Sequence, residues 1–140
     1  MRRLALLGCA CLLAAQAASA DLKKGRDKLK HGDYKEALKT LEATSGRDRF
    51  EAQIVKVDAL AQTGQLARAQ TLATKLSKAS GARGVRGQIA LAKILRLRGA
   101  YTEAKRLLEP IAIKDRKQFE ARYLLGMVYR DIGQAVRAEK

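Results

Sequence analysis

The sequence predicts an all-α fold: a solenoid of antiparallel helix hairpins, about three and a half repeats long, behind a short N-terminal segment of different character. Three observations predict it. A phrase led by glycine returns four times, as Gly32-Asp-Tyr-Lys-Glu-Ala37, Gly64-Gln-Leu-Ala-Arg-Ala69, Gly99-Ala-Tyr-Thr-Glu-Ala104 and Gly133-Gln-Ala-Val-Arg-Ala138, with the glycines 32, 35 and 34 residues apart. The copies also match beyond the phrase, since a shift of 69 places pairs Phe50 with Phe119, Glu51 with Glu120 and Ala52 with Ala121. Finally, apolar residues recur three and four apart on both sides of each glycine, the period of one helix face. In the last copy Tyr123, Leu124, Met127 and Val128 supply that stripe.

The first 20 residues read as a secretory signal peptide. Arg2 and Arg3 open it, an apolar stretch runs from Leu4 to Ala17, and Ala18-Ser19-Ala20 places small residues before Asp21. The apolar stretch is too short to span a bilayer as a helix. Cleavage is expected after Ala20, and the destination is the bacterial periplasm. The competing reading takes Leu6-Leu7-Gly8-Cys9 as a lipoprotein box with Cys9 acylated, but few apolar residues separate Arg3 from that cysteine. Both cysteines, Cys9 and Cys11, lie in the segment that would be removed, which leaves the mature chain without disulfide or thiol chemistry.

From residue 21 onward a single repeat domain is expected, with copies near 21–48, 49–83, 84–117 and 118–140, the last one truncated. Each copy reads as two helices joined at its glycine. A helix often ends on a residue with positive φ, where a Cβ would clash, and glycine suits that joint. The alanine five residues later, at Ala37, Ala69, Ala104 and Ala138, is small enough for the two helices to cross closely. Tyr34 and Tyr101 follow their glycines by two residues and are placed to fill the wedge between helices. One hairpin cannot bury its own apolar stripe, so neighbouring copies must stack.

With these residues in place, the chain resembles the tetratricopeptide repeat family, whose pattern sets a glycine seven places before the turn glycine and an alanine five places after it. The fourth copy carries Leu125, Gly126, Tyr129, Gly133 and Ala138 in register, and the first carries Gly25, Gly32, Tyr34, Ala37 and Leu41. The middle copies have Val57 and Ala92 where the earlier glycine belongs. The resemblance implies a right-handed α-solenoid. It also implies that the first helix of each pair lines a concave groove for a peptide or a partner helix. Carried over position by position, the groove candidates are Arg26 and Lys30, Asp58 and Gln62, Lys93 and Arg96, then Tyr123, Met127 and Arg130. The family's carboxylate-clamp subset uses asparagine, and this sequence contains none.

Two local features interrupt the pattern. Ser80-Gly81-Ala-Arg-Gly84-Val-Arg-Gly87 is the least regular stretch; its glycines lack phosphate-loop spacing, so a repeat boundary is expected there. Pro110 removes a helical hydrogen bond and predicts a kink or break near Glu109.

Little is available for catalysis. His31 is the only histidine, and beside Gly32 at the end of a predicted helix it reads as a helix-end side chain. No second histidine and no mature cysteine complete a triad or a zinc site. The visible chain is therefore expected to be non-enzymatic and to need no cofactor.

Charge points to the partner. Setting aside Arg2 and Arg3 leaves 27 basic against 14 acidic residues, a formal excess of +13 with His neutral. A field of that sign favours a protein or peptide of acidic character, or peripheral contact with an anionic membrane surface or envelope polymer. Nucleic acid is disfavoured, because the compartment holds little of it and aromatic residues for stacking are sparse. The leading expectation is a protein–protein scaffold or adaptor in the cell envelope. The alternatives are the N-terminal repeat region of a larger exported enzyme such as a peptidase, since Lys140 falls about one turn into the fourth pair's second helix, or an electrostatic binder of anionic lipid or polymer.

Overall fold

The computed structural model describes residues 20–138, with side chains as far as Gly133. The signal-peptide and lipoprotein readings fall on residues 1–19, outside the described residues. Among the described residues every regular element is helical. Helix α1 covers 20–30, α2 Tyr34–Ala43, α3 Arg49–Gln62, α4 Leu66–Ser77, α5 Gly81–Leu97, α6 Tyr101–Lys114 and α7 Phe119–Ala138, with a 3₁₀ turn at Gly46–Asp48 ahead of α3. They form two compact units, one ending at Thr63 and the other beginning at Gly64.

In the first unit Leu22 and Leu29 of α1 pack with Leu41 of α2 and with Ala52 and Val55 of α3. The hairpin closes because two small residues allow it. Ala37 is fully buried, and Gly25 lies so close under Leu41 that a Cβ there would sit 2.7 Å from the leucine side chain. At the joint Gly32 adopts φ 83°, the Asp33 amide donates to the Lys28 carbonyl and the Gly32 amide donates to the Leu29 carbonyl. That pair of bonds satisfies carbonyls a helix end would otherwise leave open. Gly99 repeats the arrangement in the second unit at φ 79°, with Ala100 bonded to Leu95 and Gly99 to Arg96. The turn prediction holds at both positions.

In the second unit α5 packs against α4, α6 and α7, and α6 packs against α7. Contact between α5 and α7, which a whole helix separates in sequence, is the stacking of one hairpin on the next that the repeat pattern requires. Ile89, Ala92 and Leu95 of α5, Ala104, Leu108 and Ile111 of α6, and Ala121, Leu124 and Val128 of α7 make one continuous core. Tyr101 packs against it in its expected wedge. Burying a side chain such as Leu108 in this core stabilises the unit by about 1.5–3 kcal/mol.

Three expectations need correction. The stretch from Ser80 to Gly87 does open the third copy, but it is not irregular: α5 begins at Gly81, and Gly84 and Gly87 are buried inside that helix. A Cβ at Gly84 would lie 2.0 Å from the Ala79 carbonyl oxygen, and one at Gly87 2.4 Å from the Leu76 carbonyl, so these glycines let α5 close directly onto the end of α4. Nor does Pro110 break α6, which runs unbroken from Tyr101 to Lys114. Pro110 is exposed while Leu108 and Ile111 beside it are buried, and their packing outweighs the lost bond to the Arg106 carbonyl. Gly133 is not a joint either, because α7 continues through it to Ala138. One glycine costs a helix about 1 kcal/mol.

Candidate partner-binding surface

The family positions expected to line a groove fall on α1 and α3 in the first unit and on α5 and α7 in the second. The second unit brings its set together best. Along α7, Phe119, Tyr123, Met127 and Arg130 recur at helical spacing and share one face. Phe119 and Tyr123 are the most exposed aromatics there, at 74% and 70%, while Met127 is half-buried against the core beneath them. Lys93 and Arg96 stand on α5, which packs on α7.

Arg96 is not a free groove cation. Its Nε donates to Asp131 Oδ2 at 2.6 Å, and both side chains are largely covered. Arg130 also approaches Asp131, at 3.5 Å. Asp131 therefore fastens α5 to α7 and draws one groove position into structure. Asp131 is not among the groove candidates, although it directly follows Arg130 and is the only acidic residue of α7 after Glu120.

On the other side of α7, Tyr129 stands half-exposed and its hydroxyl donates to Glu109 of α6. Lys105 pairs with Glu109 at 3.6 Å and places its Nζ 5.3 Å above the Tyr129 ring. The hydrogen bond to Glu109, then burial and lastly the charge of Glu109, raise the Tyr129 phenol above its ordinary 10.0. In the first unit Arg26 pairs with Glu51 at 3.6 Å and Lys56 with Glu42 at 2.5 Å; Lys30 is exposed, Asp58 half-covered and Gln62 exposed on α3. The five groove candidates of the second unit and the four of the first are described as two separate sets.

His31 does what its position predicts: its Nδ1 lies 2.7 Å from the Asp27 carbonyl at the end of α1. Among the described residues no group of three or more His, Cys, Asp or Glu is arranged to hold a metal ion, and no helix is long and apolar enough to cross a membrane. Gly126, which the repeat pattern sets for close packing, faces open space with nothing within 4 Å of a built Cβ.

Residues 22–79 match the family model described as Tetratricopeptide repeat. Those residues, the first two copies, are tetratricopeptide repeats. The match covers the first two copies directly; the third shares their glycine spacing and joint, and the fourth shares the spacing and packs back on the third. No curated protein and no solved structure matches the chain. Tetratricopeptide repeats are generally protein–protein interaction modules.

Proposed function

We propose that this tetratricopeptide repeat protein is a non-catalytic scaffold of the bacterial cell envelope, exported by residues 1–20, which holds a protein partner on the first-helix faces of its hairpins. The observation that carries the reading is the exposed pair Phe119 and Tyr123 on α7, beside Met127 and Arg130. The core is otherwise almost wholly aliphatic and alanine-rich, so packing gives these two rings no employment. Exposed aromatic side chains next to an arginine are the residue types that dominate binding energy when a partner covers them. The export signal gives the compartment, and the basic excess gives the partner an acidic character.

The test is capture from envelope extract by the full chain, followed by mass spectrometry. Wild type is expected to retain a defined partner that Tyr123→Ala with Phe119→Ala loses by about tenfold or more, while circular dichroism shows both variants equally helical. Retention of the same partner by the double variant would remove this face from the account.

A further inference from the structure

We propose that a cleft along α4, rimmed by Lys75, Lys78 and Arg98, binds an acidic peptide segment of the partner. The inference rests on the reading of the chain as a partner-binding module, but it assigns a surface outside the first-helix groove.

The first argument is charge accounting. Between Asp58 and Glu103 the sequence has eight lysines and arginines and no carboxylate, and α4 and α5 lie wholly within that stretch. Ion pairs tie Arg26 to Glu51, Lys56 to Glu42 and Lys105 to Glu109 and, from within the stretch, Arg96 to Asp131. Lys75, Lys78 and Arg98 are exposed, and among the described residues no carboxylate pairs with any of them. Their fields add on one surface with nothing local to cancel them.

The second argument is shape. These three residues rim a depression of about 550 Å³, whose floor is the row Ala67, Gln70, Thr71 and Thr74. Spacings of three and four keep that row on one side of α4, so at about 1.5 Å per residue the trough from Ala67 to Lys78 is roughly 16 Å long. An extended peptide of about five residues spans that length. Gln70 fixes the far wall, because its Oε1 accepts from the Arg98 guanidinium. The remaining N–H groups of Arg98 are left to meet a carboxylate in the paired geometry that guanidinium favours.

Composition selects among polyanions. No aromatic or large aliphatic side chain lines the cleft. Membrane-surface segments hold the interface with such side chains, and single-stranded nucleic acid is held by stacking on aromatic rings. A shallow trough rimmed by cations fits carboxylates spaced along an extended chain.

Lys75 lies in the last turn of α4 and Lys78 just after it, where cations also steady a helix end, so binding and folding must be read separately. The experiment titrates a fluorescent peptide carrying five consecutive glutamates against the full chain, with the matching glutamine peptide as control. Parallel titrations use vesicles containing phosphatidylglycerol. Wild type is expected to bind the glutamate peptide and not the glutamine one, with affinity falling as salt rises. Lys75→Gln with Lys78→Gln, and separately Arg98→Gln, should each weaken binding about tenfold, whereas Lys114→Gln with Lys117→Gln changes it less than about twofold, all with wild-type helicity. Equal loss in the Lys114 and Lys117 pair would reduce the effect to net charge and overturn the site. So would vesicle binding that depends on Lys75 and Lys78 and resists competition by the glutamate peptide, since that outcome makes the occupant a lipid surface. Partner capture that survives the cleft variants and fails with the Phe119 and Tyr123 variant would sink the cleft while leaving the scaffold standing.

Discussion

A methyl group decides between two glycines that look alike in the sequence. At Gly87 it would meet the Leu76 backbone at 2.4 Å, and at Gly126 it would meet nothing within 4 Å. Backbone cannot move aside as a flexible side chain can, so Gly87→Ala is expected to cost about 3 kcal/mol by forcing α4 and α5 apart. Gly126→Ala should instead gain about 0.5–1 kcal/mol, because alanine is the better helix former and the site is open. Denaturant unfolding of the two variants measures both. The glycines at Gly32 and Gly99 were legible because a positive φ requirement recurs at a fixed spacing. Those at Gly84 and Gly87 were not, because what requires them is the backbone of another helix. Their separation by three residues, one face of one helix, was the available signal.

Elements were legible wherever apolar period and joint chemistry agreed, as in α2, α3 and α6. They were misread where a single residue was set against packing: Pro110 stays inside α6 because Leu108 and Ile111 anchor the helix on both sides of it, and Gly133 stays inside α7. The groove was legible by position but not by occupancy, since nothing in the spacing of Arg96 shows that Asp131 claims it. The bond from Tyr129 to Glu109 ties α6 to α7 and carries a pH signature. Because folding raises the phenol's pKa above 10.0, the contribution of this bond is complete below that value and is lost as pH rises through the raised one. Melting temperature is therefore expected to fall past pH 10 more steeply in wild type than in Tyr129→Phe. Lys105 faces the ring and pairs with Glu109 in both proteins, so the comparison with Tyr129→Phe isolates the phenol. Superimposable pH profiles would show that the tie contributes nothing.

Across the whole molecule the compartment governs how the basic surface is to be understood. A chain with a formal excess of +13 from residue 21 onward would meet nucleic acid at every turn in the cytoplasm, and polyanionic selection there would be poor. The proposed export would remove that competition and leave acidic proteins and the envelope itself as counterparts, the setting in which a cationic cleft can discriminate. The proposed leader is therefore part of the binding argument, and it makes a definite prediction. Expressed in a bacterium from Met1, the protein should be recovered from the periplasmic fraction with Asp21 as its first residue, read by N-terminal sequencing or intact mass. Replacing Ala18 and Ala20 with bulky residues should block processing and retain the precursor at the membrane, because signal peptidase accepts small side chains at those two places. A mature chain that begins at a lipid-modified Cys9 and fractionates with membranes would instead bring the cleft close to anionic headgroups and remove the advantage that export confers. An unprocessed chain in the cytoplasm would defeat the envelope scaffold outright.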